Sequence, residues 1–280
     1  MTVLESIKLA TNFLQKYKIE KPRLNAELLL ADILGCKRLE LYISFDKPLT
    51  DEEIDKYREF LIRRSKNEPI QYITGKAYFY GMEFFVDKNV LIPRSETELL
   101  VEEILKNTSN NIYKILDIGT GSGNIAIVLG SKLMNSIIHS IDVSQDALKV
   151  AEKNIAKHKI TNVKLFNIDI FHNNIHESDY DIIVSNPPYI SEKNKDSIPM
   201  EVKNYEPEIA LFVEHEMKFY EKIVDLSNYI LKIEGSLYFE IDPHIAEQIY
   251  NLMKKNNFID IVIKKDYSNM DRIIYGVKAK

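Results

Sequence analysis

From Glu96 onward, short apolar runs alternate with polar segments of helical pattern. The runs are YKILDIG, SIIHSIDV, VKLFNID, YDIIVSN and GSLYFEI. Strands this continuously apolar are buried on both faces, which calls for a mostly parallel sheet with helices packed on either side. Two later runs, around DIVIKK and RIIYGVK, lie close enough in sequence to pair antiparallel at an edge. The expectation is an α/β fold with a doubly wound, mostly parallel sheet.

The first 66 residues follow a different period. Ile7, Ala10 and Leu14 recur at helical spacing, as do Leu24, Leu28 and Ala31. Gly35 stands where a left-handed helix cap would sit. Thr50 with Glu53 three residues on is a capping-box pattern, and Ile54, Tyr57 and Leu61 then form one apolar face. Residues 1–66 therefore read as a small all-α bundle. Residues 67–95 are dense in aromatic and β-branched side chains, with Gly75 and Gly81 as turn points, and read as a β-hairpin connector. The α/β domain occupies 96–280. For 280 residues, two domains are the natural division.

Composition closes several routes. No run approaches the ~20 apolar residues of a membrane span, and the N-terminal segment lacks a signal-peptide core. Cys36 is the one cysteine, so there is no intramolecular disulfide and no thiolate cluster. These features point to the cytoplasm. A net charge of −5 argues against a protein that grips a long stretch of duplex nucleic acid. Arg63 to Lys66 form either a local basic patch or the solvated end of a helix. His172 and His176 stand four apart in a polar loop without a third ligand, so no metal site is expected.

The chemistry-bearing residues cluster at strand ends. Gly119, Gly121 and Gly123 make a G-x-G-x-G turn that runs into a helix starting near Asn124. Glycine allows φ > 0 and close approach of a ligand to the backbone, and the helix start offers free N–H groups. Asp142, at the end of the next strand, is placed to bind ribose hydroxyls. Asp169, at the end of the third, could accept an adenine amino hydrogen. The loop is preceded by an acid, Asp117, and lacks the G-x-G-x-x-G spacing. An acid there suits the ammonium of a sulfonium cofactor with an amino-acid tail, and the pattern favours S-adenosylmethionine over a dinucleotide.

The fourth run ends in Asn186-Pro187-Pro188-Tyr189. Proline stiffens the turn and restricts the residue before it. In a doubly wound sheet this motif lies beyond the strand ends, beside the cofactor. An acceptor –NH2 has a delocalised lone pair. The Asn186 oxygen and the Pro187 carbonyl can each take one of its hydrogens and aim that lone pair, with Tyr189 stacking on the planar group. The motif holds no group that titrates near neutrality, so the transfer is expected to need no general base.

At this point the sequence resembles the methyltransferases that modify the glutamine of the Gly-Gly-Gln motif in class I peptide-chain release factors. The resemblance covers nearly the whole chain. Its most specific stretch is EPIQYITGKAYFYGMEFFVDKNVLIPRSETELLVE, with Pro93, Arg94, Thr97 and Glu98. NYEPEIALF and DYSNMDRIIYG also fit. The family implies a seven-stranded, Rossmann-like class I methyltransferase sheet with a small helical N-terminal domain that docks the substrate. It implies S-adenosylmethionine as donor and S-adenosylhomocysteine as product. Asp117, Gly119, Thr120, Gly121, Ser122, Gly123, Asp142, Asp169, Ile170 and Asn186 would hold the cofactor. Asn186, Pro187, Pro188 and Tyr189 would hold the acceptor. Class I release factors would be the partners of a monomeric enzyme, with no stable nucleic-acid partner and no membrane. Ile170 stands where many members have Trp, and Ser95 and Glu96 replace a common Pro-Asp. Arg94 and Glu98 either line the cleft or pair with each other. The alternative is an amino methyltransferase acting on adenine or cytosine, for which this chain has neither a large insertion nor a basic channel.

Overall fold

The computed structural model describes residues 1–109, 111–173, 175 and 177–280. The chain divides into two compact units. One comprises Met1–Lys76 together with Ile198–Tyr205, and the other Ala77–Ser197 with Glu206–Lys280.

The first unit is helical: α1 (Val3–Lys16), α2 (Pro22–Ile33), α3 (Asp51–Ser65), α4 (Ile70–Thr74) and, far along the chain, α8 (Met200–Tyr205). Thr2 and Thr50 each close a capping box, with Glu5 and Glu53. Gly35 takes φ +61° just past α2. On α1 the buried face is the expected one, Ile7, Ala10 and Leu14. On α2 it is not: Leu28 is exposed, while Asn25, Ala26, Glu27, Leu29, Leu30 and Ala31 are buried. This helix is covered by α1, α3 and α4 at once, so no single stripe faces the core.

Glu27 is buried and accepts from Arg23 Nε, Arg38 Nη1 and the Tyr42 hydroxyl at 2.7–2.8 Å. Burial pushes its carboxyl up, but the three hydrogen bonds outweigh that and hold it below the usual carboxylate range. Glu27→Ala leaves the two arginines free to regain water, so the expected loss is moderate, about 2 kcal/mol of stability in urea denaturation. Because the folded carboxyl titrates below the unfolded one, the Glu27 contribution is present at neutral pH. It should fade in acid as the folded carboxyl, which titrates below the unfolded one, takes up its proton, so that wild type and variant draw together.

Of the two readings of Arg63 to Lys66, the local basic patch does not describe the two arginines. Arg63 pairs with Glu68 at 2.5 Å, and Arg64 is buried, bonded to Asn25, the Glu68 carbonyl and Glu201. The Tyr205 hydroxyl donates to the Lys66 carbonyl. The stretch read as an all-β connector contains a helical turn, α4, opened by Pro69 and closed by Gly75 at φ +72°.

The second unit opens with the hairpin β1 (Lys76–Phe79) and β2 (Met82–Phe85), followed by α5 (Ser95–Asn107), β3 (Lys114–Ile118) and α6 (Asn124–Lys132). Then come β4 (Ile137–Asp142), α7 (Gln145–His158), β5 (Val163–Asn167), β6 (Tyr180–Ser185), β7 (Ile190–Ser191) and β8 (Phe212–Val213). The chain ends with α9 (Lys218–Ile230), β9 (Leu231–Glu240), α10 (Ala246–Lys255), β10 (Phe258–Lys265) and β11 (Asp271–Lys278). Seven strands form one sheet in the order β10-β11-β9-β6-β3-β4-β5. It is parallel except at β11, which runs antiparallel to both β9 and β10.

Alternate residues of each strand feed two cores. Leu116 and Ile118 of β3 join Ile183, Leu237 and Phe239 under α9 and α10, whereas Ile115, Ile182 and Val184 join Leu100, Ile104 and Ile127 under α5 and α6. The sheet is thus covered on both faces, as its unbroken apolar strands require. Phe79 and Phe84 of the hairpin are fully buried in the second of these cores. No helix among the described residues is long and apolar enough to cross a membrane.

Candidate active site

The parallel strands β6, β3, β4 and β5 deliver their carboxyl ends to one edge, where a cavity of about 210 Å³ opens. The loop between β3 and α6 forms one wall. Its three glycines all adopt positive φ: +76° at Gly119, +53° at Gly121 and +80° at Gly123. The loop is pinned to the end of β4, because the N–H groups of Gly119 and Thr120 donate to the Ile141 carbonyl. Asn154 of α7, fully buried, donates to the Ser122 carbonyl and the Phe85 carbonyl.

Asp142 ends β4 and lines the cavity. Its carboxylate accepts from the N–H of Gly121 and that of Ser144, both at 2.9 Å. Burial raises its pKa, opposed by the backbone N–H groups of Ser144 and Gly121. Asp169 also lines the cavity but lies two residues beyond β5, whose last residue is Asn167. Hydrogen bonds from His172 and from the Phe171 N–H hold its carboxyl below the usual range. Ile170 is buried in the same wall. His176, the histidine four residues beyond His172, lies outside the described residues. Among the described residues no cluster of three His, Cys, Asp or Glu side chains is placed to hold a metal ion.

Asp117 sits beneath the glycine loop, fully buried. Thr120 donates to its Oδ2 at 2.6 Å, but Oδ1 has no hydrogen-bond partner. Burial pushes its carboxyl up to about 7, partly offset by Thr120, and the nearby Asp142 charge adds to the rise. A buried carboxylate oxygen without a donor is costly. Asp117 does not itself line the cavity, as Ile118, Gly119 and Asp142 do, so the residues present fit a ligand whose cation lies over this buried carboxyl and whose hydroxyls reach Asp142.

Asn186 follows β6 and lines the cavity with Pro187 and Pro188. Its Nδ2 donates to the Thr97 hydroxyl at 3.2 Å, which leaves the side-chain oxygen for another donor. Tyr189 is not part of the lining. It packs against the α9–α10 core, and burial raises its hydroxyl to about 12. Thr120, Ser122 and Gly123 likewise lie behind the lining, where they shape the loop. Arg94 and Glu98 do not pair with each other. Arg94 bonds Glu206 at 2.6 Å, and Glu98 accepts from the Tyr80 N–H at 2.8 Å. Glu206, itself buried, also accepts from the Ile92 N–H and so ties together the two chain segments that supply Asn89–Leu91 and Pro207, Ile209 and Ala210 to the lining. The sequence reading did not place these lip residues in the site. The glutamate in NYEPEIALF and the arginine in its proline-rich segment were the available signal.

Comparison with known proteins agrees with this arrangement. Residues 5–75 match the family described as the PrmC N-terminal domain, and residues 94–202 the methyltransferase small domain. The release factor glutamine methyltransferase of Chlorobaculum tepidum is 38% identical over 281 residues, spanning 97% of this chain and 95% of its own. That of Leptospira interrogans is 38% identical over 277 residues, spanning 98% and 97%. Among solved structures, the hMettl16 catalytic domain in complex with MAT2A 3'UTR hairpin 1 shares the fold, with a TM-score of 0.57 at 15% identity over 82% of each chain. Identity of this extent across both matched domains, on a seven-stranded sheet with the glycine loop and Asn186 at its edge, shows that the chain belongs to the release factor glutamine methyltransferase family.

Proposed function

We propose that the protein methylates the side-chain amide nitrogen, N5, of the glutamine in the Gly-Gly-Gln motif of class I peptide-chain release factors. Beyond family membership, the observation that carries this reading is the orientation of Asn186. Its NH2 is already engaged by Thr97, so its oxygen is the group left to accept an amide N–H.

S-adenosylmethionine supplies a methyl group activated by a sulfonium. Asp117 would neutralise the ammonium of its tail, Gly119 and Gly121 would let it lie close to the backbone, and Asp142 would bind its ribose. Asp169 and Ile170 would flank the adenine. Asn186 Oδ1 and the Pro187 carbonyl would each hold one hydrogen of the glutamine –NH2, so that its lone pair points at the methyl. Orientation of this kind is worth up to ~7–11 kcal/mol when reacting atoms are held near attack geometry. Pro188 stiffens the turn, and Tyr189, braced against the core, sets its position beside the acceptor. The N-terminal helical domain (1–66) and the hairpin segment (67–95) serve substrate docking, and 96–280 the chemistry. The enzyme works as a monomer in the cytoplasm and keeps no stable nucleic-acid partner.

The test is direct. Labelled S-adenosylmethionine is offered with an unmodified class I release factor and, separately, with single- and double-stranded DNA. Label is then mapped by mass spectrometry. Label on the Gly-Gly-Gln glutamine is the expected result, and label on DNA alone overturns the reading.

Cofactor binding should also move a proton. The Asp117 carboxyl in the free protein is raised above its unfolded value, so its protonated form favours folding, an advantage lost as pH climbs through about 7. A cation beside Oδ1 favours the ionised form. At pH 6, calorimetry in buffers of different ionisation enthalpy should show about one proton released per cofactor bound. Asp117→Asn should abolish that release.

A further inference from the structure

Thr97 joins Asn186 to a buried acid that the reaction above does not use. Ser185 of β6 pairs with Phe239 of β9, so Asn186 and Glu240 leave neighbouring parallel strands side by side. Thr97, on the first turn of α5, stands between them. Its hydroxyl donates to Glu240 Oε2 at 2.5 Å and accepts from Asn186 Nδ2 at 3.2 Å. Thr97 and Glu240 are both at most 2% exposed, so water does not compete for these bonds.

A hydroxyl has a single hydrogen. While that hydrogen belongs to the Glu240 carboxylate, Thr97 can only accept from its other neighbour, and the Asn186 amide must present its NH2. We propose that Thr97 and Glu240 are positioning residues: by fixing the direction of this hydrogen-bond chain, they fix which way round the Asn186 amide sits, and so keep its oxygen available to the substrate amide. This inference rests on the proposed role of Asn186.

The chain can also run backwards. A protonated Glu240 can donate to Thr97, whose hydrogen then turns toward Asn186 and engages the oxygen the substrate needs. Burial pushes the Glu240 carboxyl up to about 7, while Thr97, Arg272 and Arg94 pull it down and Glu96 adds to the rise. Tyr189 and Tyr220 also face it, their hydroxyls raised well clear of neutrality by burial. Glu240 is therefore the group in this network whose charge changes near neutral pH. It orients the amide and takes no proton from the substrate.

Thr97→Val keeps the shape and removes the hydroxyl, whereas Thr97→Ser restores it. Single-turnover rates across pH 5.5–8.5 should fall on the acid side in the wild type, with a midpoint near the Glu240 value. In Thr97→Val the plateau rate should drop roughly 10–100-fold, less than the ~10²–10³ of losing an oriented polar partner outright, because Thr97 acts through Asn186. The acid limb should vanish, and the dissociation constant for S-adenosylmethionine should stay within about twofold. Thr97→Ser should recover both rate and limb. A readout independent of turnover is the side-chain amide resonance of Asn186, assigned by its loss in Asn186→Ala. It should shift and exchange faster with solvent in Thr97→Val. A Thr97→Val enzyme with wild-type rate and an intact acid limb overturns the inference, as does one that loses cofactor binding and rate together. Absence of label on glutamine in the wild type would instead remove the functional reading, and the resonance would still report on the chain.

Discussion

Asn186→Ala should lower the rate of methyl transfer by about a thousandfold while S-adenosylmethionine binds within a few-fold of normal. In the proposed reaction Asn186 touches the acceptor at the point where orientation is set. Losing one pre-oriented polar partner of a reacting group costs about 10²–10³ in rate. Here the alanine also leaves the Thr97 hydroxyl, buried and already donating to Glu240, without its donor. Asn186→Gln tests the geometric part separately. The same amide, carried one methylene further out, displaces the accepting oxygen by more than 1 Å, and misplacement on that scale costs about a hundredfold. Single-turnover kinetics with a release factor would show both effects in the chemical step, with cofactor affinity from calorimetry as the control. An Asn186→Ala enzyme within tenfold of wild type would mean that the amide is held by something else.

The second large effect is of the opposite kind. Asp142→Ala should weaken S-adenosylmethionine binding by roughly 10²–10⁴-fold, with turnover at saturating cofactor close to normal. A carboxylate that meets two ribose hydroxyls makes two charge-assisted hydrogen bonds, each worth about 1.5–3 kcal/mol. Asp142 has a second task, since it also receives the N–H groups of Gly121 and Ser144. The alanine variant should therefore lose thermal stability even without cofactor, because Gly121 would be left without its acceptor. Asp142→Asn keeps one carbonyl oxygen for those donors and should fall in between. Equal loss in binding and in saturated turnover would place Asp142 in the chemistry rather than in holding the ribose.

What the sequence displayed was chemistry carried on contiguous residues. The glycine loop and Asn186–Tyr189 each occupy one strand end, and the apolar alternation around them dictates a parallel sheet whose carboxyl edge gathers them. The Thr97–Glu240 bond joins residues 143 apart and the Asn186–Thr97 bond residues 89 apart, and no local pattern announces either. Tyr189 was expected to stack on the acceptor because it is aromatic and adjacent. Its ring instead lies against the α9–α10 core, which a turn motif read alone does not reveal. On α2, periodicity selects Leu24, Leu28 and Ala31, but a helix enclosed by three others leaves Leu28 exposed and buries Asn25 and Glu27, whose partners rather than their hydropathy make that tolerable. The turn of helix at Ile70–Thr74 was hidden by its β-branched and aromatic residues, although Pro69 and Gly75 bracket it as a start and a stop.

Residues Ile198–Tyr205 belong to the same compact unit as Met1–Lys76, although more than a hundred positions separate the two segments. In the gene, the helical unit is therefore a two-exchange object. Recombination that swaps the first 76 residues alone would set a buried Arg64 against a foreign sequence in place of Glu201, and would leave Lys66 without the Tyr205 hydroxyl. A working chimera has to carry the distant octapeptide along with the N-terminus. Across relatives, loss of arginine at position 64 should be matched by loss of the acid at position 201.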